Sequence, residues 1–109
     1  MSERGGFFHM TTADTVDCTR LANGSFVEVD TTSRHYHIEC LGGNSIRISG
    51  HPVICPDPVP AELNGSVDDK SQLKPGLIGC GMRLMFFVDD HRPVTTSKVI
   101  RVEVNEPVH

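Results

Sequence analysis

Residues 25–49 read SFVEVD-TTS-RHYHIECL-GGN-SIRIS, and apolar and polar side chains alternate in each of the three longer segments. A period of two places the apolar residues on one face of a strand and the polar residues on the other. The clusters between the segments consist of Thr, Ser, Gly and Asn, which favour turns. The stretch therefore predicts three antiparallel strands, at 25–30, 34–41 and 45–49, joined by two hairpin turns.

The same alternation continues on both sides of this stretch. It occurs around residues 16–19, ahead of Asn23 and Gly24, a pair that favours a hairpin because both residues tolerate positive φ. It returns in the hydrophobic segment 77–88 and again at 97–104. About six short strands with turns between them predict an all-β domain, a small antiparallel barrel or sandwich of SH3-like or OB-like type.

The phase of the alternation also predicts which side chains form the core. The residues expected to be buried together all lie on the apolar phase of a predicted strand. They are Val27, Val29, Tyr36, Ile38, Ile46, Ile48, Leu84, Phe86, Ile100 and Val102.

With 109 residues, the chain has the length of one domain. Residues 1–13 show no periodicity and are predicted to be a flexible arm, residues 14–105 the single β domain, and residues 106–109 a tail. At most one short helical segment is expected, at 66–74, with Ser66 as its N-cap.

Segment 56–76 begins with alternating prolines and is predicted to be the one long loop, within which residues 61–67 could hold a short strand. Because functional residues concentrate on long loops, a protein or small-molecule ligand is expected near it. The two Asn-Gly-Ser triplets, at Asn23 and Asn64, are interpreted as turns.

Composition argues against several partners. The net charge is −4 and the ten basic residues are scattered, so nucleic acid is not expected as a partner. An OB-like barrel could bind a single strand, but the chain lacks the basic, aromatic-rich face this needs. No stretch approaches the ~20 apolar residues of a membrane span, and the N-terminus lacks the apolar core of a signal peptide. No membrane contact and a cytoplasmic location are therefore expected.

The four cysteines, Cys18, Cys40, Cys55 and Cys80, include no C-x-x-C pair. Reduced, mostly buried thiols are the favoured interpretation, and a disulfide between two strands is the alternative. Cys80 lies between two glycines, whose amides could stabilise an oxyanion if the thiol were a nucleophile. The competing interpretation of Gly-Cys-Gly is a β-bulge or bend.

One strand offers a candidate metal site. The period of two places His35, His37 and Glu39 on one face, and two imidazoles with a carboxylate suit zinc, iron or copper. The alternative is that these residues form the polar outside of a two-faced sheet.

A candidate interface comes from the segment 77–88. If Leu84 and Phe86 face the core, Met85 and Phe87 point outward, where two large apolar side chains need a cover. The cover could be the N-terminal arm, through Phe7 and Phe8, or a second copy related by a two-fold axis. We expect a homodimer in which these four residues form the interface.

The sequence as a whole favours a non-enzymatic binding or assembly module that acts through protein or small-ligand contact, with no cofactor. The alternative is a small metal-dependent or thiol enzyme that uses the His35, His37 and Glu39 face or Cys80.

Overall fold

The computed structural model describes residues 8–88 and 93–107. This part of the chain contains ten strands and a single turn of 3-10 helix at Cys18–Arg20. The strands are β1 (Phe8–Ala13), β2 (Thr15–Asp17), β3 (Phe26–Thr31), β4 (His35–Gly42), β5 (Ser45–Ser49), β6 (Val59–Val67), β7 (Leu73–Pro75), β8 (Leu77–Gly79), β9 (Arg83–Phe87) and β10 (Val94–Pro107).

Six of these strands form a closed antiparallel barrel in the order β10-β3-β4-β5-β6-β9, because β9 pairs with both β6 and β10. Strand β1 adds to the outside of β10, and β7 adds to the outside of β6. Strands β2 and β8 make a separate two-stranded sheet. The predicted all-β class and small antiparallel barrel are confirmed.

The three strands predicted within residues 25–49 form as two successive hairpins. Val29 lies opposite Tyr36 in the first hairpin, and Ile38 lies opposite Ile48 in the second. These side chains are all buried, which fixes the register, since a slip of one residue would turn every one of them to solvent.

The predicted core is confirmed except at Ile100, which is 59% exposed. The register of β10 against β3 shifts between Val99 and Arg101, so that the bulge reverses the phase of the alternation. Val99 takes the inward position and is buried, as is Val102 beyond the bulge. The sequence showed the alternation on either side but not the extra residue within it.

The hairpin predicted at Asn23 and Gly24 is wrong in its pairing. A turn does form there, with Ser25 N donating to Ala22 O at 3.0 Å. However, β2 pairs with β8 rather than with β3, which lies between β10 and β4. The 3-10 turn that follows β2 redirects the chain, so the two strands do not become neighbours.

The long loop and the helix predicted within residues 56–76 are also wrong. Strand β6 occupies much of the segment, and Asn64 lies inside this strand rather than in a turn. Ser66 caps no helix, because its hydroxyl donates to Leu77 O at 2.8 Å. The chain instead reverses at Asp68, whose carboxylate accepts from the backbone N–H groups of Lys70 and Gln72.

Residues 8–13, predicted to belong to the arm, instead form β1 and pair along β10. An edge strand of this kind gains its order from backbone hydrogen bonds rather than from a buried face, so no alternation marks it. At the other end β10 continues to Pro107, into the predicted tail.

Candidate functional site

A cluster of two histidines and two carboxylates lies on the outer face of β3 and β4. His35 Nδ1 lies 2.6 Å from the Asp30 carboxylate, and His35 Nε2 lies 2.6 Å from one Glu28 oxygen. The other Glu28 oxygen bonds to His37 Nδ1. Because the register pairs Glu28 with His37 and Asp30 with His35, the hairpin itself assembles this histidine–carboxylate cluster.

The carboxylates alter the acid–base behaviour of His35. Its hydrogen bond to Asp30, with a smaller contribution from Glu28, raises the pKa of the imidazole above its ordinary value, against an opposing effect of burial. The protonated ring can donate to both carboxylates at once, which neutral imidazole cannot do. The cluster is thus an internally paired polar surface.

Glu39 does not join this cluster. Its carboxylate accepts from Arg47 on β5 at 2.8 Å, two register pairs along the sheet from His37. Within residues 8–88 and 93–107, no group of three or more His, Cys, Asp or Glu side chains is arranged to hold a metal ion. The predicted set of His35, His37 and Glu39 is therefore divided between two sets of partners, and metal binding stays a prediction.

A shallow groove of about 310 Å³ lies beside the cluster, lined by Phe26, Glu28, His37 and Asn105. The Phe26 and His37 rings stack with centroids 5.0 Å apart. Sequence reasoning missed Glu28 and Phe26 as site residues. The signal was available, because a turn at 31–33 implies that the outward residues of the first strand face those of the second.

The backbone amides at Cys80 and Gly81 belong to the hydrogen-bond network of the fold. The N–H of Cys80 donates to Asp14 O at 2.8 Å, and the N–H of Gly81 donates to Val99 O at 2.8 Å. These two amides are thus engaged in backbone hydrogen bonds, and a role of Cys80 as a nucleophile stays a prediction. Gly81 has a φ of +85°, which fits the bend that was the competing interpretation.

The second candidate region is the outer face of β6 and β9, here called the β6–β9 strip. Met85 and Phe87 point outward from β9 as predicted and are half-buried, between the buried Leu84, Phe86 and Val88. The strip comprises Pro60, Glu62, Val67, Arg83, Met85 and Phe87.

The ends of the strip carry opposite charges. Glu62 lies opposite Phe87 in the ladder, and Arg83 lies opposite Val67 at the other end of β9. Both charged side chains are exposed. An open groove of about 490 Å³, lined by Pro60, Ala61, Glu62 and Phe87, adjoins the acidic end.

The predicted contribution of the N-terminal arm falls largely outside the described residues, which exclude Phe7 and the side chain of Phe8. The backbone of Phe8 pairs with Pro107, whereas Met85 pairs with Thr95, twelve positions earlier on β10. Strand β1, the described part of the predicted arm, thus begins at the opposite end of β10 from the strip.

Comparison with protein-family models, with curated proteins and with solved structures finds no match for this chain. Among the described residues no helix is long and apolar enough to span a lipid bilayer. What can be inferred about function therefore rests on the two outer faces.

Proposed function

We propose that the protein is a non-enzymatic assembly module that pairs with a second copy of itself through the β6–β9 strip. The observation that carries the proposal is the combination, on one outer face, of half-buried Met85 and Phe87 with exposed charges of opposite sign at the two ends.

The apolar part of the strip supports a protein contact. Met and Phe are among the residue types enriched at interface centres, and an antiparallel sheet face open to water normally carries polar side chains. Since β1 begins at the far end of β10 from the strip, we favour residues of a second copy as the cover.

The charges support a second copy rather than an unrelated partner. The two-fold axis of such a dimer lies between the two facing strips, passes over Met85 and is perpendicular to β9. It brings the two copies of β9 together antiparallel. Arg83 of one copy then lies over the Phe87 end of the other, where Glu62 lines the groove. A guanidinium there would pair with a carboxylate and stack on an aromatic face, two contacts that favour arginine over lysine.

Light scattering on the purified chain tests the proposal. We expect a dimer at micromolar concentration for the intact protein and a folded monomer for the double variant Met85→Ser, Phe87→Ser. The matched control is Met10→Ser, Ile100→Ser, which removes two exposed apolar side chains, 61% and 59% accessible, from other surfaces. This control should remain dimeric.

A charge swap tests the two-fold arrangement itself. Arg83→Glu and Glu62→Arg should each weaken the dimer, and the combined variant should restore it, because the pair is re-formed with its signs exchanged. An intact chain that remains monomeric at high micromolar concentration would refute the assembly proposal. A dimer indifferent to Met85→Ser, Phe87→Ser would refute its placement on the strip.

A further inference from the structure

Two cysteines that are distant in sequence meet in the core of the protein. Cys18 Sγ lies 3.0 Å from Cys40 Sγ, although the residues are 22 positions apart in the chain. Both are free thiols and both are only 2% exposed. The separation of the sulfur atoms exceeds an S–S bond by only about 1 Å.

The backbone holds each cysteine in place independently. On the Cys18 side, the Asp17 carboxylate accepts from the N–H of Thr19 at 3.0 Å, and Cys18 N donates to Gly76 O at 2.9 Å. On the other side Cys40 lies in β4, where its N–H donates to Ser25 O at 2.8 Å. The contact is therefore a consequence of the fold.

We infer that Cys18 and Cys40 are a disulfide-forming pair, which a low-molecular-weight disulfide oxidises to an intramolecular S–S bond. The bond would fasten the segment that contains β2 and the 3-10 turn to barrel strand β4. This inference is independent of the assembly proposal, because neither cysteine belongs to the β6–β9 strip.

The chemistry assigns different roles to the two sulfurs. The hydrogen bond between the two sulfurs, in which either could donate, lowers the pKa of Cys40 and, with burial, raises the pKa of Cys18. Cys40, as thiolate, attacks one sulfur of the oxidant and releases its other half as a thiolate. Cys18 then loses its proton and attacks the Cys40 sulfur, which expels the second half. Two protein thiols are oxidised, and one disulfide is reduced to two thiols that take up the two protons.

Access to the buried pair requires local opening rather than global unfolding. Strand β2 has three residues and pairs only with β8, which is equally short, outside the closed barrel. Short elements with few ladder bonds open at a fraction of the global free energy. Oxidation should therefore proceed under native conditions, slowly but without denaturant.

Tryptic mapping provides a direct test, because cleavage after Arg and Lys, except before Pro, places each cysteine in a separate peptide. The four peptides are residues 5–20, 35–47, 48–70 and 71–83. The intact protein is incubated with oxidised glutathione, its remaining thiols are alkylated, and it is digested without reductant. We expect peptide 5–20 joined to peptide 35–47, and two alkylated thiols left per chain.

Thermal melting of the same samples measures the consequence. The oxidised protein should melt about 10 °C or more above the reduced protein, and dithiothreitol should reverse the gain. Cys18→Ser should show no oxidation-dependent shift, and Cys55→Ser, the matched control, should retain it. If Cys18→Ser does not fold, the peptide map of the unmodified chain still decides. A map without the 5–20 to 35–47 link, or with a link through Cys55 or Cys80 instead, would overturn the inference.

Discussion

The outer faces of β3–β4 and β6–β9 belong to the same closed barrel, and each covers a buried inner face. They differ in how far their outward side chains are paired or covered within the chain. On β3–β4 the outward side chains find partners on the adjacent strand, as Glu28 does with His35 and His37. On β9 Met85 and Phe87 alternate with the buried Leu84 and Phe86, and their outward side chains are only half-buried. The polar face satisfies its side chains within itself, whereas the apolar face does not, and it is there that we propose assembly.

Buried side chains next to β4 and under the strip should contribute about equally to the free energy of unfolding, so differences between the two regions come from their outer faces. Ile48 of β5, which lies opposite Ile38 of β4, and Leu84 of β9, which is buried under the strip, are both fully inaccessible to solvent. Replacing either with Ala should lower the free energy of unfolding by about 2–5 kcal/mol. Urea denaturation measures the loss, and values below about 0.5 kcal/mol at both sites would mean that the strand faces are misassigned.

The β6–β9 face also depends on a close backbone approach, that of β7 to β6 at Gly65. Gly65, opposite Met85, has a φ of +139°, and a Cβ there would lie 2.1 Å from Lys74 O. Gly65→Ala should therefore cost about 2–4 kcal/mol, as strained backbone and overpacking combine.

Gly43→Ala is the matched control for this glycine. Its φ is also positive, at +57°, but nothing lies within 4 Å of the added Cβ, so the loss should be about 1 kcal/mol. Equal losses in the two variants, measured by the same denaturation, would show that the approach of β7 to β6 does not constrain Gly65.

The comparison also explains which parts of the structure were predictable from the sequence. Segment 25–49 was predicted correctly because local turns join its strands, and hairpin register follows from turn length. The outward positions of Met85 and Phe87 followed from the phase of one uninterrupted strand. Assembly of Glu28 with His37 could have been derived from the first hairpin by the same reasoning.

The errors arise where tertiary pairing overrides the local pattern. Ile100 is exposed because a bulge in the long strand β10 shifts the phase, and a bulge leaves no mark in an alternating sequence. Asn64 and Gly65 have the composition of a turn but lie within β6, where β7 and β9 pair on either side. The contact of Cys18 with Cys40 depends on how β2 and the turn after it fold over the barrel, and sequence spacing does not contain that information.

A smaller effect should come from titration of the histidine–carboxylate cluster. Because the pKa of His35 is raised in the folded state, its contribution to stability is fully present below the pKa of the unfolded chain, near 6.5. That contribution is lost as pH rises through the higher, folded value. Unfolding free energies measured between pH 5.5 and 8.5 should therefore fall with rising pH more steeply in the native protein than in His35→Asn.

The size of this pH effect should be modest, below about 1 kcal/mol, because His35 is half-exposed and water screens the interaction. Asp30→Asn should remove more of it than Glu28→Gln, since the hydrogen bond to Asp30 is the largest cause of the shift. The reverse order would mean that Glu28 rather than Asp30 controls the protonation of this ring.

The smallest change in stability is expected on adding metal ions. This measurement distinguishes the two interpretations of the β4 histidines, a metal site or the polar outer face of the sheet. Both nitrogens of His35 bond to carboxylates, and Glu39, the third predicted ligand, is paired with Arg47. Zinc would have to displace these bonds, so a stoichiometric amount should leave the melting temperature unchanged to within about 1 °C.

A ligand that binds only the native state raises the melting temperature. A rise of several degrees that His37→Ala abolishes would therefore establish a metal site, and with it the metal-dependent enzyme as the better interpretation of this face. Glu39→Gln provides a further test of the metal site. If the carboxylate pairs only with Arg47, the substitution should not change the effect of zinc on the melting temperature, whereas it should weaken zinc binding if Glu39 is a ligand.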